Sequence, residues 1–280
     1  MIFFRNVSHR SEILGSQIGG VDSAKSKLAR ARKHLKAIKR ATSHYARSHP
    51  HLLTKAKGKK TTRLTIPRVP PREITILAGE MVYQMRSALD HLVFDLVKRN
   101  PKVSSIDPDW SKNCQFPIRI KRLKAGQNPP LLQRQFSQDL PGVSGIPFAF
   151  IESLQPYYGV GAVNNALRFL AELSNIDKHK YMNVVGSRVR AYHDITFASG
   201  FRSTGHEALD HGAEIPADRG WTEFDLPVKM HRSFRPFVNF KEKDILGDAI
   251  ILPVDYLLQL ILEQIETIIV PAFEKFVKKL

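Results

Sequence analysis

Apolar residues first settle into a regular period at Val21. Ala24, Leu28, Ala31, Leu35, Ile38, Thr42 and Tyr45 recur every three or four positions, the spacing of one helical stripe. Asp22 stands where an N-cap is expected, and Ser48-His49-Pro50 ends the run. Leu52 to Ile66 alternates around Gly58 and predicts a hairpin. Pro70-Pro71 opens a second helix, with Ile74, Leu77, Ala78, Met81, Met85, Ala88, Leu92 and Leu96 as its stripe and Asn100-Pro101 as its stop. Residues 121–147 are rich in Gly, Pro and Gln and read as an excursion. Phe148 to Leu154 is helical in pattern. A further helix over about 162–180 carries Val163, Ala166, Leu170 and Leu173 on one face.

The period then drops to two. Residues 182–197, 222–228 and 237–241 predict strands of an antiparallel sheet, and Gly200 to Gly220 predicts a polar loop. Within that loop, His206 and His211 stand five apart rather than the four of a zinc helix, so no metal site is expected there. Pro253 starts the last helix, packed by Leu257, Leu258, Ile261, Leu262, Ile265, Ile268 and Ile269, with Pro271 kinking or dividing it. The expected fold class is α+β. Four long helices, over about 21–48, 70–100, 148–180 and 253–279, form an up-down bundle. A small antiparallel sheet over 181–241 is inserted between the third and last helices, and a basic hairpin follows the first. Residues 1–20 are expected to be a flexible arm and 21–280 a single domain.

Charge sharpens this picture because it is uneven. The chain of 280 residues carries a net +17, and residues 1–72 hold 18 Lys or Arg against Glu12 and Asp22. That makes +16 in the first quarter, a field that attracts and steers polyanions. Lys25, Arg32, Lys33, Lys36, Lys39 and Arg40 lie off the apolar stripe of the first helix, and Lys59, Lys60 and Arg63 stud the hairpin. These nine are the candidate nucleic-acid contacts; the plain alternative is a solubilising basic face. One cysteine, Cys114, excludes an internal disulfide and a multi-cysteine zinc site. Ile2-Phe3-Phe4 is cut by Arg5, and Asp255, Glu263 and Glu266 interrupt the most apolar stretch. The expectation is a cytoplasmic chain with no membrane span, no metal and no cofactor. P-loop, dinucleotide fingerprint and nucleophile elbow are absent from the sequence.

Two polar clusters remain as candidate chemistry: Arg86, Asp90 and His91 on the second helix, and Asn175, Asp177 and His179 at the end of the third. At about 100° per residue, Arg86 and Asp90 share one side while His91 diverges from Arg86 by roughly 140°. Convergence on one phosphate therefore demands a break in the helix or a complementary group from elsewhere, His179 being the first choice. Asp177 continues an apolar stripe and needs a donor. The structural expectation is a bond to Arg86, Asp90 or His91 that pins the two helices together.

Arg86-Ser87-Ala88-Leu89-Asp90-His91 resembles the R-x4-6-H pattern of HEPN-type helical domains, many of which are metal-independent ribonucleases. The resemblance implies that Arg86 stabilises the phosphoryl transition state and His91 handles protons, in an RNA-cutting or RNA-binding homodimer. A longer succession, RSALDHLVFDL, CQFPI, IESLQPY and LSNIDKHKYMNVV, resembles, over roughly residues 70–185, a family of bacterial proteins without an assigned activity. It implies a shared helical core and lends no chemistry. The alternative function is a non-enzymatic structural or interaction protein whose Arg, Asp and His clusters pin helices.

Overall fold

The first helix, α1 (Gly20–Arg47), buries Ala24, Leu28, Ala31, Leu35, Ile38 and Tyr45, six of the seven positions in its sequence stripe. This computed structural model describes residues 19–48, 52–55, 61–66, 69–101, 103, 109–120, 136, 138–159, 161–179, 184–197, 200, 202–210, 212–216, 227–240 and 252–279. Strands β1 (Leu52–Lys55) and β2 (Thr61–Thr65) follow, then α2 (Arg72–Lys98). Two short helices come next, α3 (Trp110–Asn113) and α4 (Gly145–Ser153), with a 3-10 turn at Pro156–Tyr158. Helix α5 spans Ala162–His179. After four strands, α6 (Val254–Gln264) passes through a π-helical turn (Ile265–Ile269) into α7 (Val270–Lys279).

The chain is mainly a helical bundle, and α2 is its axis. Besides the predicted stripe, α2 buries Val82, Leu89, Val93 and Val97, so apolar contact extends around most of its circumference. The cause is its position, with α1 along one side and α5, α6 and α7 against others. A single cluster of buried side chains joins all of these helices. The wide turn at 265–269 comes immediately before Pro271, so the helix continues past a residue that cannot donate and whose ring needs room on the preceding turn.

Two parts of the expected architecture need correction. Four long helices undercount the helical pieces, and the span 148–180 is broken at Leu154–Gly161, where Gln155 and the Pro156 turn intervene. Within the expected loop, 202–210 and 214–216 are strands, while 201, 211 and 217–220 lie outside the described residues. The strands are β3 (Val184–Phe197), β4 (Arg202–Asp210), β5 (Glu214–Pro216) and β6 (Pro227–Phe240). One antiparallel sheet has the order β4-β3-β6, and β5 instead joins the hairpin in a second sheet ordered β1-β2-β5. His206 to Asp210 is thus strand, paired with β3 from Tyr192 to Arg188. Pro236 in β6 is tolerated because that strand pairs with β3 alone and lies at an edge. Leu64, Ile66 and Val189, with Leu209 against them, form a small core between the two sheets. Gly212 at φ 87° makes the turn that lets its N–H reach the Leu64 carbonyl.

Candidate functional site

Arg86 and Asp90 are one turn apart on α2, on the side facing the extended segment that follows α3. Arg86 Nη2 donates to the Phe116 carbonyl at 2.7 Å, and the Phe116 N–H donates to Asp90 Oδ1 at 2.9 Å. The pair is also in contact with itself, Nη2 to Oδ1 at 3.2 Å. Together they treat one peptide of the Gln115-Phe116-Pro117-Ile118 run as a sheet neighbour would, taking both its acceptor and its donor. Burial raises the Asp90 carboxyl above the ordinary carboxylate range, against the opposing pull of Arg86 and the Phe116 N–H.

Three residues that the sequence did not flag complete this clamp. Gln155, fully buried, donates to the Pro117 and Ile151 carbonyls and accepts from the Arg119 N–H at 2.8 Å. Asp139, also buried, accepts from Gln115 Nε2 and pairs with Arg119. The 115–119 segment is thereby fixed from α2, from the end of α4 and from the stretch before it. The signal for Gln155 was present in the sequence as a polar residue inside the LQPY run, where a helix must stop against a core.

A cleft of about 250 Å³ opens beside the clamp. Its walls include Arg86, Arg119, Ser174, Asn175, Lys178 and His179. The structure therefore brings together Arg86, Asn175 and His179 from the six candidate catalytic residues. His91 is not among these lining residues. It sits toward α1, with Nδ1 2.7 Å from Ser23 Oγ, and lines a separate cleft of about 670 Å³ at the start of α1, with Asp90, Phe94 and Asp95. Burial, then the charge of Lys27, lowers His91 below the ordinary imidazole value, with Asp90 opposing. The predicted divergence of Arg86 and His91 is real, and α2 runs unbroken between them.

The pairing expected of Asp177 does not occur. Helices α2 and α5 do lie against each other, but Asp177 is exposed and bonds none of Arg86, Asp90 or His91. The buried positions of α5 end at Leu173 and Ser174, so the last turn runs past the core and the stripe loses its meaning there. Asp177 instead stands over Gly79, whose missing side chain leaves the carboxylate its room.

The basic face of α1 also divides. Lys25, Arg32 and Lys39, spaced by seven residues, share the flank facing the antiparallel C-terminal helices. Lys25 pairs with Glu274 at 2.5 Å, Arg32 with Glu266, and Lys39 bonds Gln259 at 2.5 Å. Lys33, Lys36 and Arg40 are exposed and make no ion pair among the described residues. Arg63 on β2 is likewise exposed, while Lys59 and Lys60 lie outside the described residues. A groove of about 430 Å³ between α1 and the C-terminal helices is lined by Lys25, Arg32, Lys33, Lys36 and Glu266.

Among the described residues, no three His, Cys, Asp or Glu side chains are grouped to hold a metal ion. Cys114 is half-buried, and burial, helped by Asp90 and Asp139, pushes its thiol up to about 12, which disfavours the thiolate that a nucleophile uses. Residues Val254–Lys279 are long and apolar enough to cross a membrane by length and composition. In the fold, Leu257, Leu258, Ile261, Leu262, Ile265, Ile269 and Phe273 of that stretch are fully or almost fully buried in the bundle core. Compared with family models, curated proteins and solved structures, the chain finds no match, and the site is therefore read from its own residues.

Proposed function

We propose that this chain is an RNA-binding helical protein that holds the phosphate backbone with the outward side of α1. The observation that carries the reading is that Lys33, Lys36 and Arg40 are exposed and make no ion pair among the described residues, while the cations one step round the helix are neutralised by Glu266 and Glu274. Like charges three, four and seven residues apart on a helix repel, and nothing among the described residues relieves these. A row of phosphates does. The charge of +16 on residues 1–72 supplies the long-range attraction.

The bundle is read as HEPN-like, with its R-x4-H motif put to structural use. Arg86 and Asp90 clamp Phe116, and His91 ties α2 to α1, so the motif does the pinning that the non-enzymatic alternative requires. Among the described residues His179, and not His91, lines the cleft of Arg86, so a ribonuclease reading of this chain pairs Arg86 with His179.

The test is charge reversal at Lys33, Lys36 and Arg40 together, read as RNA affinity against salt. The plot of log affinity against log salt should flatten by about 0.7 for each single-strand phosphate that the variant no longer neutralises. The melting temperature should hold, because all three side chains are exposed. Unchanged affinity and slope in the folded variant would reject the reading and leave α1 a solubilising face.

A further inference from the structure

We propose that the cleft between α2, the 115–119 segment and the last turns of α5 is a binding site for a phosphate group, either inorganic phosphate or the terminal phosphate of an ester. Arg86, Arg119, Lys178 and His179 reach it from three separate parts of the chain, with Ser174 and Asn175 adding neutral hydrogen-bonding groups. Both arginines are already fixed. Arg86 is held through Nη2 by the Phe116 carbonyl and Asp90, and Arg119 through Nη2 by buried Asp139. The bonds of both guanidiniums among the described residues run through Nη2, and Arg119 Nε is buried with no partner there, so both bring unused donors to the wall of the cavity without further loss of side-chain freedom. Asp139, a carboxylate in the wall, is occupied by Gln115 and Arg119 and repels an incoming anion less than an unpaired carboxylate would.

The size selects the ligand. At about 250 Å³ the cavity lies below the 300–1,000 Å³ usual for drug-sized molecules. It suits a phosphoryl group with the first atoms of its ester rather than a whole nucleotide. Lys178 and His179 are exposed in the last turn of α5, where they also offset the helix's unpaired carbonyls. That local duty explains two of the basic groups, but not why Arg86 and Arg119 face the same space. The inference does not depend on α1 binding RNA.

The experiment is calorimetric titration of the full chain with inorganic phosphate at constant ionic strength, comparing wild type with Lys178→Glu/His179→Gln. Saturable binding in the wild type and a loss of about tenfold or more in the variant is the expected result. Both substituted residues are exposed, so the ligand-free melting temperature should not move; should it fall, His179→Gln alone carries the comparison. No saturable binding, or equal binding by wild type and variant, overturns the proposal. Parallel titrations with 5′-phosphorylated and 5′-hydroxyl oligoribonucleotides identify the source. A preference for the phosphorylated end that vanishes in the variant supports a nucleic-acid terminus. Equal oligonucleotide binding alongside saturable inorganic phosphate supports a small phosphate. Intact salt-dependent RNA binding with no phosphate binding would remove this site and leave the α1 reading standing.

Discussion

Arg86 donates to the carbonyl of Phe116 across 2.7 Å, so part of the guanidinium that a phosphoryl-transfer site would aim at substrate is spent on the protein's own backbone. Asp90 takes the other half of the same peptide. Replacing Asp90 with Ala should leave the Phe116 N–H and one face of Arg86 unpaired. The pair is only partly sealed, so the expected cost is about 2 kcal/mol, below the range for a fully buried pair. Asp90→Asn keeps an acceptor for the N–H and should cost about half as much. Urea midpoints of the two variants measure this, and equal stability of Asp90→Ala and wild type would show that the clamp contributes nothing.

Gln155 should be the most sensitive polar position in the fold. Its amide meets the Pro117 and Ile151 carbonyls and the Arg119 N–H, in a site with no solvent exposure. Gln155→Ala strands these groups and opens a cavity, for a loss of about 3 kcal/mol or more. Gln155→Glu should be worse than its near-identical shape suggests, because an oxygen replaces the donor that faces two carbonyls. Comparing melting temperatures of the two variants decides it; a Gln155→Glu protein as stable as the parent would mean that the segment is held without the Gln155 amide.

How far the sequence could be read follows from the range of each signal. Helical stripes are local, and those of α1 and of the C-terminal helices mark their buried faces directly, except at Ile268, which was expected to pack but is exposed where the helix widens into its π-turn. The extra buried face of α2 was hidden because it depends on which helices surround it. Strand β4 was missed because His206-Glu207-Ala208-Leu209-Asp210 has too few apolar positions to declare a period; its pairing with β3 defines it. Asp177 was misplaced by extending a stripe past the end of the core. The split of the α1 cations was legible only in part, since a spacing of seven shows that Lys25, Arg32 and Lys39 share a line but not that Glu274, Glu266 and Gln259 wait opposite. The Arg86–His179 cleft was foreseen only as a demand, because the fold alone brings those two helices to one cavity.

At Gly20 the backbone of α1 lies tight against α2. A methyl group built there falls 2.2 Å from Asp95 Cβ and 2.6 Å from the His91 carbonyl oxygen, and the latter cannot swing aside. Gly→Ala inside a helix ordinarily gains up to about 1 kcal/mol, and less at a first helical residue such as Gly20. Here the sign should reverse, with a loss of about 1–3 kcal/mol as α1 is forced away from α2. Gly19→Ala is the control, since its added carbon meets nothing nearer than Asp22 Oδ2 at 3.9 Å. The difference in urea midpoint between the two variants reads the close approach directly, and identical midpoints would contradict it.

The same approach places His91 under a constraint that shows in the pH dependence of stability. Its surroundings are Ser23 Oγ at 2.7 Å, Lys27 and Asp90, and burial with the Lys27 charge outweighs the carboxylate in disfavouring the protonated ring. The folded value therefore lies below 6.5, and protonation favours the unfolded chain. Stability from this residue is full above pH 6.5 and is lost as the pH falls from there through the lower folded value. Asp90 acts with the opposite sign in its own window. Its folded value is raised above 3.8, so its contribution is full below 3.8 and is lost as the pH rises through the folded value. His91→Gln should flatten the decline in unfolding free energy just below pH 6.5 while leaving the salt slope of RNA binding untouched, because α1's outward face lies elsewhere. Urea titrations at closely spaced pH values supply the first readout and anisotropy titrations the second. A decline that persists in His91→Gln would assign the proton uptake to another histidine. A variant that binds RNA with a changed salt slope would place His91 at the RNA-contacting surface.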